Sequence, residues 1–102
     1  MFAVIYTFIV KEGKEKAFVE YWKEMTLLIR KYENSLGSRL HKIGENHYIA
    51  YAWWKTRKDW ENSGSNLPDE AQKVGRKLGK SCDIIETLYA MDVVEDLLVK
   101  ES

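Results

Sequence analysis

The sequence has few of the residues that make cross-links and rigid corners. It holds a single cysteine, Cys82, in 102 residues, which excludes an intramolecular disulfide framework and any cysteine-based zinc site. It holds one proline, and its six glycines are isolated from one another, so there is no glycine-rich phosphate loop and no dinucleotide fingerprint. Two histidines, His41 and His47, are too few for a zinc centre, and no acidic residue stands at a ligand spacing from them. Net charge is also missing, because 16 basic side chains balance 16 acidic ones. The two signs are interspersed, which excludes nucleic acid and an anionic membrane as electrostatic partners. No apolar run approaches the roughly 20 residues of a membrane span. The segment Phe2 to Val10 is too short for a signal peptide and lacks its basic lead-in. A cytoplasmic protein is expected.

Apolar residues and tryptophan are present in quantity. Hydrophobic residues make up 45% of the chain and four are Trp, enough for the core of one domain over residues 1–102. Phe2 to Val10 is rich in β-branched and aromatic residues and reads as a strand with both faces apolar. From Lys14 to about Asn34 the period changes. Phe18, Trp22, Met25, Ile29 and Tyr32 line one stripe of a long amphipathic helix. Leu36 to Ile43 and His47 to Lys55 read as two strands joined across Gly44-Glu45-Asn46. Thr56 with Asp59 is a capping-box signal for a helix carrying Trp60. Pro68 suits the first position of a further helix, with Ala71, Val74 and Leu78 as its stripe and Gly79 as its stop. Asp83 to Val94 is the last strand, with Ile85, Thr87, Tyr89, Met91 and Val93 expected on one face.

Strand, helix, strand, strand, helix, strand is the order of an α+β, ferredoxin-like βαββαβ fold, an antiparallel sheet with its helices on one face. Two helices on one side can cover only one face. The other face, carrying Ile5, Tyr51 and Trp53, calls for a partner, and a second copy related by a two-fold axis is the expected one. The apolar tail Leu97-Leu98-Val99 is expected to dock on that copy.

On the helix side, Ala50, Ala52 and Trp54 share one face of the third strand. Two readings stay open there. Trp22 and Trp54 fill the volume above the alanines as core, or that volume is a pocket beneath Trp22 and Met25 for a flat apolar ligand. Tyr6 either orients a polar edge of such a ligand or is a core tyrosine with its hydroxyl at the rim. His41 reads as a surface or interface residue and Cys82 as a small packing residue.

The stretches Gly37-Ser-Arg-Leu-His41, Tyr48-Ile-Ala-Tyr-Ala-Trp-Trp54 and Thr56-Arg-Lys-Asp-Trp60 resemble the antibiotic biosynthesis monooxygenase (ABM) domain family. The likeness runs from Phe2 to about Glu61. It implies a dimeric α/β barrel of ferredoxin-like protomers. It also implies a cofactor-independent monooxygenase acting on a flat aromatic or phenolic molecule, with no cofactor required. The alternative is a non-catalytic dimeric ligand-binding or interaction module of the same fold. In the quinone-forming members a strand Asn precedes the conserved-pattern tryptophan and an Arg follows it. Here the tryptophan position is Trp54, the Asn position is Ala50, and Arg76 is the nearest match for the Arg. Trp54 and Arg76 are thus the catalytic candidates, and Tyr6, Trp22, Ala50 and Trp54 the ligand-binding ones. The resemblance points away from haem degradation, since no histidine follows His47.

Overall fold

The computed structural model describes residues 1–98. Its elements follow in the order β1 (Phe2–Val10), α1 (Glu15–Tyr32), β2 (Ser35–Gly44), β3 (His47–Trp54), α2 (Arg57–Glu61), α3 (Asp69–Lys80) and β4 (Cys82–Asp92). The strands form one open sheet in the order β2-β3-β1-β4, every pair antiparallel. This is the expected α+β, ferredoxin-like arrangement.

Each boundary has a local cause. The stripe on α1 buries Phe18 and half-buries Trp22, Met25 and Ile29, while Tyr32, expected to continue it, is exposed. Tyr32 is the last residue of the helix, and two positions on Asn34 takes a left-handed φ of 58°, a conformation that asparagine tolerates better than most residues. The buried Glu33 carboxylate then accepts the Asn66 backbone N–H at 2.8 Å, which ties the loop after α2 to the end of α1. Thr56 caps α2 as expected, its hydroxyl accepting from the Asp59 N–H at 3.1 Å. Pro68 lies one position earlier than expected, as the cap residue of α3. Gly79 does not stop that helix. It keeps a helical turn, and the stop comes at Ser81, whose hydroxyl donates to the Leu78 carbonyl at 2.6 Å.

The interior pair β1–β3 runs in unbroken register. Both edge strands carry extra residues: Leu36 and Ile43 on β2, Asp83 and Leu88 on β4. The extra Leu88 corrects the expected facing of the last strand. Thr87 pairs with Tyr6 on the helix side, but Tyr89 pairs with Ile5 on the open side. Ile85 and Thr87 therefore do not share a face with Tyr89 and Met91. Alternation presumes an unbroken period of two, which a bulge resets.

The core consists of two clusters. Phe8, Val10, Phe18, Tyr48, Ala50 and Cys82 form one, and Phe2, Val4 and Trp54 the other, with Tyr6 packed against both. The opposite face of the sheet carries Ile5, Tyr51 and Trp53, the last two edge-to-face with centroids 5.4 Å apart. Among the described residues no element covers it. Beyond β4, Val94, Leu97 and Leu98 are exposed, and Val99 of the expected docking tail lies outside the described residues.

One polar cluster fastens the start of α1 to the β2–β3 hairpin. A single Glu15 oxygen, Oε1, accepts from Lys42 Nζ at 3.0 Å, the Tyr48 hydroxyl at 3.1 Å and the Asn46 N–H at 3.1 Å. The Lys42 hydrogen bond is the largest cause holding the Glu15 carboxyl below its ordinary value, and the same contact raises Lys42 above its own. A carboxyl depressed in the folded state stabilises the fold fully above its unfolded-state pKa and loses that effect as pH falls through the folded value. A raised lysine does the reverse, contributing below its unfolded-state pKa and losing the effect as pH rises through the folded one. Glu15→Gln should therefore lower the thermal midpoint at neutral pH. The gap from wild type should close under acid conditions that protonate Glu15. Calorimetric melts across the acid range test this, and a gap independent of pH would refute it.

Candidate functional site

The candidate site follows from the strict alternation of β3. Tyr48, Ala50, Ala52 and Trp54 point to the helix side and are all buried. Ala50 lies between Tyr6 and Leu40 on the neighbouring strands, and Ala52 between Val4 and Ser38. Both carry only a methyl group, while the sheet–helix spacing is set by larger rings on either side. At one end Phe18 packs against Phe8 and Tyr48, with centroids 5.1 Å and 5.0 Å away. At the other, Phe2 meets Trp60 at 5.6 Å and holds the Arg57 guanidinium over its ring at 4.6 Å. Between these props a cavity of about 180 Å³ remains, floored by Ala50 and Ala52 and walled by Tyr6, Trp22, Met25, Ile29 and Trp54. A cavity of about 150 Å³ is known to take a benzene ring.

Few polar groups reach this space. The Tyr6 hydroxyl accepts the Trp60 indole N–H at 2.8 Å, which fixes its oxygen and leaves its own proton free to be donated. Burial is the larger influence on Tyr6 and pushes its pKa up, against the lowering effect of the Trp60 hydrogen bond. Ser38 Oγ and Trp54 Nε1, both on lining residues, are buried and have no hydrogen-bond partner in the protein. Leaving such a group unpaired costs about 1–3 kcal/mol. No carboxylate, imidazole or amine lines the cavity. Its chemistry is that of hydrogen-bond donors: it can hold and stabilise an oxygen, but it offers no strong base.

Four of the five residues singled out from sequence, Tyr6, Trp22, Ala50 and Trp54, come together on this cavity. The two readings of Trp54 merge, for it packs in the Phe2–Val4 cluster and also walls the space. Arg76 is not brought there. It is exposed on α3, two residues from both Val74 and Leu78, and so on the opposite side of the helix from the buried stripe. His47 faces the open side of the sheet and shares a 2.8 Å hydrogen bond with Thr7, while His41 is exposed. Among the described residues no group of three or more His, Cys, Asp or Glu could hold a metal ion. Cys82 is buried and unpaired, its thiol pushed up by burial.

Sequence reasoning passed over Ser38 and Trp60. Ser38 was legible in part, because it alternates with Leu40 on β2 and so shares the helix-side face. Its pairing with Ala52, which leaves the hydroxyl without a neighbour, depends on a register that the Leu36 bulge sets. Trp60 was placed on a helix, but its bond to Tyr6 spans 54 positions and has no local signature.

The family model of antibiotic biosynthesis monooxygenase matches residues 1–67. No curated protein matches the chain in sequence. Among solved structures, a variant of SnoaB, a cofactor-independent oxygenase from Streptomyces nogalater, superposes with a TM-score of 0.76 at 12% identity, covering 94% of this chain and 95% of that one. A Nitrosomonas europaea protein, proposed to be an antibiotic biosynthesis monooxygenase, gives 0.75 at 14% identity, covering 93% and 100%. One from Caulobacter crescentus, described in the same terms, gives 0.72 at 20%, covering 92% and 90%. At these identities the structural likeness is one of fold.

The unpaired Ser38 hydroxyl has a thermodynamic consequence. Ser38→Ala removes a buried group without a protein partner, so the variant in the absence of ligand should be at least as stable as wild type, by up to about 1–3 kcal/mol. Urea unfolding measures this. A clear loss of stability would mean that the hydroxyl is already satisfied in the folded protein.

Proposed function

Because the chain belongs to the antibiotic biosynthesis monooxygenase family, we propose that it binds a flat phenolic molecule in the alanine-floored cavity and promotes its oxidation by O2. The observation that carries this reading is an apolar, alanine-floored chamber lined by Tyr6, whose hydroxyl is held by Trp60, and by two residues with buried, unpartnered polar atoms, Ser38 Oγ and Trp54 Nε1. Neither of those atoms has surface open to the cavity; rotation of the Ser38 side chain would present its hydroxyl to a substrate oxygen, which a purely hydrocarbon ligand lacks. With no base in the lining, the substrate is one whose own acidity supplies the phenolate. The Tyr6 hydroxyl, its oxygen fixed by Trp60, then stabilises the anion, and Trp54 holds the ring. The phenolate gives electrons to O2. Conversion of a ring CH2 and O2 to a carbonyl and water balances without an outside reductant.

Ala50 favours a second reading, a binding module without catalysis, because it offers no hydrogen bond where the quinone-forming members of the family carry Asn. Oxygen uptake separates the two. A panel of hydroxyanthrones and smaller phenols, including naphthols, should quench tryptophan fluorescence saturably, and the hydroxyanthrones, which carry the ring CH2, should consume O2 with wild type. Tyr6→Phe and Ser38→Ala should each reduce the rate about tenfold or more while the fold is kept. Saturable binding without O2 consumption would assign the module reading. No binding by any phenol would overturn both.

The same reading includes a homodimer formed through the uncovered sheet face, with the exposed tail at Leu97 and Leu98 docking on the second copy. It is supported by Ile5, Tyr51, Trp53, Tyr89 and Met91 gathering on a face without cover. Tyr89 alone is 62% exposed, and an obligate interface of this kind buries on the order of 2,000 Å² or more. Trp53→Arg should yield monomer or aggregate by light scattering. A wild type that is monomeric at micromolar concentration would refute the dimer.

A further inference from the structure

The alanine-floored cavity continues outward. A second chamber of about 390 Å³ adjoins it between α1 and β2, and Trp22, Thr26 and Ser38 line both. The outer chamber differs in character. Its rim is formed by the exposed Leu27 and Leu36 and by two cations, Lys23 and Arg30. These stand seven positions apart on α1, about 10 Å along the helix axis and on the same side. The only ion pair among the described residues joins Lys42 to Glu15, so neither cation is paired with a carboxylate among them. No acidic residue lines either chamber.

Arg30 is also placed by the strand beneath it. Gly37 has a φ of +106°, a conformation that disfavours any side chain, and the Arg30 stem lies against it, its Cδ 3.6 Å from where a Cβ would stand. The Arg30 stem thus lies beside β2, while the residue as a whole is exposed at the rim. Ser38, the next residue, carries the unpartnered hydroxyl at the junction of the two chambers.

We propose that the ligand is an aromatic acid: a phenolic ring system in the inner chamber bearing a carboxylate that reaches the outer one and binds between Arg30 and Lys23. This rests on the cavity reading of the preceding section and adds the charge of the substrate to it. The Tyr6 hydroxyl lies on β1, and Ser38 with Arg30 beside it lies at β2, with β3 between them. That spacing is about 10 Å, which suits a bicyclic ring with its hydroxyl and its carboxylate at opposite ends. An anion at the mouth stays partly hydrated, so the cations attract it without the cost of full burial.

The test uses a matched pair of probes, 2-naphthol and 6-hydroxy-2-naphthoate, titrated calorimetrically at neutral pH into wild type, Arg30→Gln, Lys23→Gln and the double variant. Both side chains are exposed, and circular dichroism verifies that the variants fold. Wild type should bind the naphthoate about tenfold tighter than the naphthol, with the advantage shrinking as salt is added. Arg30→Gln should lose most of that advantage and the double variant all of it, while 2-naphthol binds all four proteins alike. Equal binding of the two probes to wild type, or an advantage that survives in the double variant, would overturn the proposal and leave the cavity reading intact. Binding of neither probe would overturn both.

Discussion

On the buried face of β3 two alanines separate two aromatic rings, and the rings, not the alanines, set how closely α1 can approach the sheet. Protein interiors ordinarily close such gaps, because side chains interdigitate to crystal-like density. Here the rings of Phe18 and Tyr48 on one side and of Trp54 on the other prop the layers apart. The pocket left between them is open to solvent, so its walls forgo packing contacts without enclosing an empty void. The two core clusters, the path of α1 and the opening toward β2 all follow from this missing volume.

The polar groups are distributed accordingly. Away from the cavity they are saturated: one Glu15 oxygen takes three donors, and the buried Glu33 carboxylate holds a loop N–H. The buried side-chain groups left without a partner among the described residues are Ser38 Oγ and Trp54 Nε1, and both belong to the cavity. Unsatisfied groups and unfilled volume thus coincide. A fold under selection for stability alone has inexpensive remedies for each, such as alanine for serine and leucine for alanine. Their coincidence supports a site rather than a packing defect.

Local pattern carried a good deal of this. The change of period at Lys14, the Thr56 cap and the alternation of β3 lie within short windows, and each led to an element or a face that the structure contains. The cavity was legible as an open alternative, because two alanines beside a tryptophan on one strand face imply missing volume wherever the strand is covered. Arg76 was placed through the family pattern and not through its own helix. The spacing from Val74 and Leu78 already puts it on the far side. The facing of Tyr89 and Met91 was out of reach, since the extra residue at Leu88 has no marker in composition and reverses the alternation beyond it. The Tyr6–Trp60 bond was hidden for a different reason: it joins two elements whose meeting is decided only when the sheet and α2 pack together.

The four extra residues of the sheet lie on its two outer strands, and the inner pair has none. A bulge locally breaks the ladder of outward-facing N–H and C=O groups and adds twist, so neither rim offers a long flat template for a foreign strand. A chain with this many β-branched and aromatic residues would otherwise be prone to stack rim against rim into fibrils. With both rims blunted, edge-to-edge pairing is the mode of association that the sheet resists most. The same irregularities that disturb the alternation of β4 thereby bias the molecule toward closed, finite assemblies and away from open-ended ones.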